Sequence, residues 1–367
     1  MKPPFQQLAV FDFLRGWSAI LVFFHHAALL GGGPNWLKGD IGHEAVNLFM
    51  LCSGFLIYYQ SKISRSYGEL KNKTGVYNFY IRRFFRIAPA FYFALIFAYI
   101  LAPSLGEMRQ ALADAGIGSL SSTDRYEIDD LGWNVFTHLT FLFGLIPSQA
   151  FSTPLPDWSL GLEMQFYLVF PLLFWGLRKK FLLAFLGALV FFFCLKVGVA
   201  RGLNIHFPMP SFLPLKFANF AAGMLLAQLY LTANLRHKVP AILLAILFLI
   251  LGNKSPWTAL CLLALVAFLG QSKSTWKKPL ERIFQHKSSK WLAEASYGLY
   301  IFHLLLMIPF YHFTLATPPS FAQWLGLSIG LLLICLVVAW LVFLYIEKPG
   351  ISLGKKLLKP LPQSKER

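Results

Sequence analysis

The chain has 367 residues, of which 57% are hydrophobic and 13% charged, with a formal net charge of +17. A soluble domain averages roughly 25% charged residues, so this composition excludes a soluble protein, and several runs approach the ~20 apolar residues that span a bilayer. The runs are continuous and rich in Leu, Phe and Ala rather than alternating, which excludes a β-barrel and predicts an all-α, polytopic membrane helix bundle.

The first run, 8–30, contains FDFLRGWSAILVFFHH at 11–26. Lys2 before it and small residues at Ala27 and Ala28 imitate a signal peptide. Arg15, His25 and His26 interrupt its apolar stretch, so a retained span is expected. Arg15 and His26 are three helical turns apart, within about 20° on one face and ~16 Å apart along the axis. An ionisable side chain at a span's centre costs roughly 2.5–3.5 kcal/mol on insertion scales, which makes the pair a functional candidate. Asp12, at i−3, could neutralise Arg15. The other reading is an Asp12–Arg15 pair that snorkels to one interface, with His26 at the opposite headgroups. His25 points about 100° away from His26. The three glycines at 31–33 form a loop without phosphate-binding context.

A second span is expected at 41–60 and a third at 87–103, preceded by RRFFRIAP at 82–89. On a helix Arg82, Arg86 and Arg83 fall at about 0°, 40° and 100°, with Phe84 and Phe85 on the other side. Arginine forks bind phosphate in a bidentate way that lysine cannot copy. The competing reading is a basic membrane anchor.

The stretch 104–157 holds Glu107, Asp114, Asp124, Glu127, Asp129, Asp130 and Asp157 against Arg109 and Arg125, and is expected outside. Within it the apolar run 134–148 reads as a re-entrant or surface helix. Were it to cross, the basic residues at 178–180 would fall on the outside. PLPDWSLGLEMQFYLVFP at 154–171 opens the next span. Trp158 stands at its start, and Glu163 is ~9 Å deep, one turn beyond Ser159. That carboxylate could orient a histidine, accept a proton or bind a hydroxyl. It could equally be a structural partner for Arg or Trp on a neighbouring helix.

Spans are expected at 158–177, 181–200, 213–231, 239–252, 257–270, 292–312 and 322–345, ten in all. Basic residues cluster at 62–86, 178–180, 236–238, 273–290 and from Lys348 onward. The excess of Lys and Arg on cytoplasmic loops puts all five clusters, and both termini, inside. That distribution also accounts for the net charge without nucleic acid. In ASYGLYIFHLL, 295–305, Ser296, Tyr300 and His303 fall within about 60° on one face. His303, a second histidine within the membrane, reads as structural or catalytic. His138 and His312 belong to no constellation. Cys52, Cys194, Cys261 and Cys335 lack CxxC spacing and read as small buried thiols, not as metal ligands or disulfides. GxSxG, P-loop, HExxH and Rossmann fingerprints are absent, and no metal is expected. The chain reads as one transmembrane unit, 1–350, followed by a basic cytoplasmic tail, 351–367.

These residues, in this order, resemble the acyltransferase-3 family of integral membrane acyltransferases over nearly the whole chain. Arg15 and His26 resemble its first-helix Arg–His motif, and VNLFMLCSGFLI at 46–57 is similar to its second-helix signature. Arg83 and Arg86 match its RxxR motif. WSLGLEMQFYLVFP matches its tryptophan–serine–leucine–glutamate segment, SYGLYIFH its Ser-Tyr–His segment, and YIEKPG at 345–350 the usual end of the domain. Asn47 stands where many members have Asp, and Met164 where many have a second Glu. No fused SGNH-type hydrolase domain, carried by some members, is expected.

The resemblance implies a membrane O-acyltransferase with no metal. It would move an acyl group, usually acetyl from acetyl-CoA, to a hydroxyl of a cell-surface glycan, a lipid-linked saccharide or a small natural product. Cytoplasmic CoA phosphates would meet Arg82, Arg83 and Arg86, and the protein would lie in the plasma membrane (the inner membrane of a two-membrane cell). His26 would act as general base or as nucleophile. Arg15 would orient the donor or compensate thioester charge, and Glu163 would hold a histidine or the acceptor. The competing class is a transporter or flippase with intramembrane charges along a solute path. Against it stand the missing inverted repeats and the arginine cluster at the membrane edge.

Overall fold

The computed structural model describes residues 8–63, 70, 72–118, 124–232, 246, 256–269 and 276–361, among which there is no strand. The helices are α1 (Ala9–Gly31), the short α2 (Asn35–Lys38), α3 (Ile41–Ile63), α4 (Lys73–Asp114), α5 (Leu131–Leu139), α6 (Trp158–Lys179), α7 (Phe181–Val197), α8 (Leu213–Leu231), α9 (Pro256–Leu269), α10 (Lys277–Phe284), α11 (Lys287–Thr314), α12 (Phe321–Val342) and α13 (Lys348–Lys356). Seven helical stretches among the described residues are long and apolar enough to cross a membrane: α1, α3, α4, α6, Phe181–Gly202, α11 and Phe321–Lys356. The protein is an all-α membrane bundle.

Inter-helix registers fix relative directions. Along the α1–α11 seam Gly16 faces Leu292, His26 meets His303 and Gly31 faces Tyr311, so these two helices run parallel. α4 runs the same way, with Ile87 beside Tyr297 and Phe93 beside Phe302. α3 runs opposite to α1, because Phe11 stacks on Phe55 while Gly42 abuts His25. α8 follows α3, pairing Asn47 with Asn219 and Tyr58 with Gln228. α8 therefore ends beside the last turns of α3. α9 begins at the other end of α3, where Thr258 donates to Glu44. Of the span expected at 239–252, which falls between them in the chain, only Ile246 is among the described residues, and the basic residues at 236–238 lie outside them.

Close approach in a membrane relies on small residues, because lipid tails are as apolar as Leu and burial alone does not drive packing. The α3–α8 contact shows this: a Cβ on Gly223 would stand 2.0 Å from the Leu51 carbonyl oxygen. Around it Phe rings stack, Phe166 on Phe220 at 4.2 Å and Phe192 on Phe217 at 4.0 Å. α1 ends at Gly32, whose φ of 72° lies in the left-handed region that favours glycine, and whose N–H donates to the Ala28 carbonyl.

Two irregularities shape the functional region. α4 runs 42 residues, about 63 Å, so the arginines expected just before the third span lie inside one continuous helix. Pro89 within it cannot donate to the carbonyl four residues back. The second irregularity is a π-helical turn, Phe343–Glu347, between α12 and α13. Such turns change the angular phase of a helix and recur at functional sites. α13 packs on α4, where a Cβ on Gly354 would collide with the Phe85 ring. Past it, Asn78 and Lys359 exchange two hydrogen bonds, at 2.8 and 2.9 Å.

The run expected as a re-entrant or surface helix forms α5 and a 3-10 turn, Leu142–Leu145. Nine residues of α-helix reach about 13 Å, too little to cross.

Candidate active site

Arg82, Arg83 and Arg86 project from α4 into one cavity of about 290 Å³, completed by Lys355 of α13. Arg86 is held by an ion pair, Nη1 to Glu347 Oε2 at 2.6 Å, with the Glu347 side chain 0% exposed and that of Arg86 26% exposed. The π-helical turn brings Glu347 to this position. Arg83 donates to Gln60 Oε1 at 3.2 Å and lies over the rings of Phe79 and Tyr167. The shared arginine face expected from the helical angles is therefore present, with its guanidinium groups lining a polar cavity.

Arg15, Ser53, Glu163 and Tyr297 line this cavity and also a second, smaller one of about 70 Å³. Glu163 Oε1 accepts from Ser53 Oγ at 3.1 Å and from the Tyr167 hydroxyl. No ion pair joins Asp12 to Arg15. Arg15 is directed to the junction of the two cavities and stays within electrostatic range of Asp12, which also feels Lys290 and Glu294 on α11.

Beyond the junction, Ser159, Ser296 and Tyr300 line the smaller cavity with Val46, Phe49 and Phe220. The Tyr300 hydroxyl lies 2.8 Å from Ser159 Oγ and donates to the Pro156 carbonyl at 2.7 Å. Ser296 Oγ donates to the Ala293 carbonyl. One turn past Tyr300, His303 Nε2 lies 3.0 Å from His26 Nδ1. The one-face expectation for Arg15 and His26 agrees with this arrangement, because both turn toward α11. Two roles are expected for Glu163, holding a histidine or the acceptor, and its contacts do not include a histidine. It sits one turn from Ser159 toward the Arg15 end, and its hydrogen-bond partners are Ser53 and Tyr167, not His26 or His303. Trp158 is buried, its ring 5.9 Å from that of His43.

A second buried cluster braces the end of the path nearest His26. His138 Nε2 lies 3.5 Å from Asp157 Oδ2, Thr153 donates to that same oxygen at 2.6 Å, and the His138 ring stacks on Phe143. Arg125 donates to the Thr153 carbonyl. Burial pushes the His138 pKa down and the Asp157 carboxyl up. His138 is thus a scaffold residue holding the loop that presents Pro156 to Tyr300, a role no local pattern predicts.

Ser53, Tyr297 and Glu347 were not singled out in sequence, although each lies in a segment that carries the family resemblance. Their significance is in side-chain contacts with other helices. Asn47, where many family members have Asp, accepts from Lys216 Nζ and Asn219 Nδ2, both at 3.0 Å. Cys52 and Cys335 are buried thiols, Cys261 is half-buried, and Cys194 is exposed on the outer surface of the bundle; all four are free.

The profile of the family described as "Acyltransferase domain" matches residues 8–344. The chain is 28% identical over 339 residues to the peptidoglycan O-acetyltransferase of Listeria monocytogenes, covering 84% of this chain and 49% of that protein. It is 24% identical over 395 aligned positions to a Staphylococcus aureus protein named "Putative O-acetyltransferase", covering 96% of this chain and 58% of the other. The chain thus spans about half the length of these relatives. No solved structure matches. The family profile takes in every helix from α1 through α12, and on that match the chain belongs to the acyltransferase-3 family.

Proposed function

We propose that this protein transfers an acetyl group from cytoplasmic acetyl-CoA to a hydroxyl of a glycan at or beyond the outer membrane surface, and that the acetyl group crosses the bilayer through the bundle while CoA stays inside. The observation that carries this reading is that four residues, Arg15, Ser53, Glu163 and Tyr297, line both cavities. They join an arginine-lined mouth to a small, partly apolar chamber.

The mouth suits the phosphates of CoA, with Arg82, Arg83, Arg86 and Lys355 supplying positive charge and forked donors. The positive-inside rule puts this mouth and both chain termini on the cytoplasmic side of the plasma membrane, and the acidic stretch 104–130 outside. Arg15, at the junction, is placed to offer N–H groups to the thioester carbonyl oxygen as it gains negative charge. Glu163, accepting from Ser53 and Tyr167, balances that guanidinium and fixes the junction's shape.

His26, beyond the chamber, is the reacting group. In the transfer the acyl–sulfur bond breaks and an acyl–oxygen bond forms, and the hydroxyl proton ends on the departing CoA thiolate. His26 accepts that proton as general base, or it carries the acyl group between two such exchanges. Both routes need an unprotonated ring nitrogen. The acceptor class follows the name of the Listeria relative, a peptidoglycan O-acetyltransferase.

The test uses sealed vesicles of one orientation, with labelled acetyl-CoA on the arginine side and a glycan acceptor trapped on the other. Labelled acceptor, with no labelled CoA in its compartment, supports the reading. Labelling confined to acceptor on the CoA side rules out the transmembrane route.

A further inference from the structure

The two imidazoles that meet at the far end of the path differ in what surrounds them, and the difference assigns their protons. His303 Nδ1 lies 2.8 Å from the Tyr300 carbonyl oxygen and 3.2 Å from that of Leu299. A carbonyl oxygen only accepts, so Nδ1 carries the hydrogen. His303 is 1% exposed and has no carboxylate partner among the described residues, which favours the neutral ring inside a membrane. A neutral imidazole has one N–H, so His303 Nε2 holds a lone pair.

That lone pair faces His26 Nδ1 at 3.0 Å. The same His26 nitrogen lies 3.1 Å from the Val22 carbonyl oxygen. With acceptors on both sides, Nδ1 of His26 is the donor, and its Nε2 is left unprotonated. We propose that His303 is a positioning residue: it holds His26 in the Nδ1–H tautomer and presents the Nε2 lone pair to the hydroxyl or acyl group. This inference rests on the reading of His26 as the reacting group. It adds which nitrogen reacts and what selects it.

The arrangement also answers what happens to charge during the step. When His26 Nε2 takes the proton of the attacking hydroxyl, the Nδ1–H bond to His303 stays in place. Its donor has become cationic, and hydrogen bonds from ionised donors are stronger. His303 therefore stabilises the charged form of His26 without touching substrate. His25 is held elsewhere, at the α1–α2 corner, with its Nδ1 2.8 Å from the Leu37 carbonyl oxygen and its ring against Gly42 of α3.

Purified protein in lipid nanodiscs tests this with His26→Ala, His303→Leu and His303→Gln. A glutamine amide oxygen can take the place of imidazole Nε2 as an acceptor, but it does not titrate. His303→Leu is expected to lower kcat at least ~10-fold, since loss of the group that holds the histidine tautomer is costly in Ser-His-Asp hydrolases, while KM for acetyl-CoA stays within about two-fold. His303→Gln is expected to recover most of that loss. With 15N-labelled histidine, NMR of the unaltered protein and of His303→Gln should show His26 with a protonated Nδ1 and a bare Nε2, and His303→Leu should show mixed tautomers. Equal impairment in the folded Leu and Gln variants, or a His26 resonance protonated at Nε2 in the unaltered protein, overturns the inference. Undiminished turnover by His26→Ala instead overturns the reading of His26 as the reacting group, and the spectra then still decide the tautomer.

Discussion

Arg86 and Glu347 stand 261 positions apart in the chain and meet at 2.6 Å, with Glu347 Oε1 left without a hydrogen-bond partner. The acid is sealed behind the cavity wall while the guanidinium opens onto the cavity. The pair thus holds a cation at the mouth by means of an anion that no ligand reaches.

Glu347→Ala removes that anchor and leaves Arg86 without its partner. Breaking a fully buried pair costs about 3–5 kcal/mol. Arg86 is partly solvated through the cavity, so the loss should fall toward the lower end. A lower melting temperature in detergent and at least a ten-fold weaker affinity for CoA are expected. A lower melting temperature with unchanged CoA affinity would make the pair a matter of stability alone.

Arg83→Lys and Arg86→Lys keep the positive charge and lose the planar fork. CoA binding should weaken for each, measured by isothermal titration, with membrane insertion unaffected. If both variants bind CoA as the unaltered protein does, the cluster is an anchor and the mouth is not the donor site.

His26→Ala should abolish acyl transfer, with a loss of at least ~100-fold if the ring acts as general base. Expression should remain near normal, because leaving His303 Nε2 without its donor costs only about 1–3 kcal/mol. His25→Ala should be milder in activity, since its contact with Leu37 supports the α1–α2 corner. Equal losses from the two would refute the assignment by helix face.

The chamber volume of about 70 Å³ is roughly half of the ~150 Å³ known to accommodate benzene. A chamber of this size is expected to favour the three heavy atoms of an acetyl group over a longer acyl chain. Phe49, half-buried in the chamber wall, is the residue to shorten. Phe49→Ala should raise turnover of butyryl-CoA relative to acetyl-CoA several-fold in a direct competition assay. An unchanged ratio would mean that the acyl group does not occupy this chamber.

Sidedness is checked by cysteine labelling after Cys194, the exposed thiol, is replaced. A cysteine at Glu107 or Glu127 should react with an impermeant reagent added outside intact cells, and one at Arg282 should not. Outside labelling at Arg282 would reverse the orientation and with it the proposed direction of transfer.

Everything legible from the residues alone lies within single helices. Composition and run length specify a helical membrane bundle, because backbone groups in lipid must be paired within each segment. The angular step of a helix is fixed, so Arg15 with His26, the three arginines of α4, and Ser296 with Tyr300 and His303 could each be assigned to one face before any packing was known. Tertiary structure alone decided which faces meet and at what height. Small residues such as Gly223 set the helix register, and the π-helical turn before α13 shifts the phase that brings Glu347 to Arg86. By the same means Glu163 faces Ser53 and Tyr167 instead of a histidine, Arg15 reaches the cavity junction without a contact ion pair to Asp12, and His303 Nε2 meets His26 Nδ1. Such pairings depend on shape complementarity between surfaces distant in the chain, and a repeat of about 3.6 residues carries no information about which surface it will face.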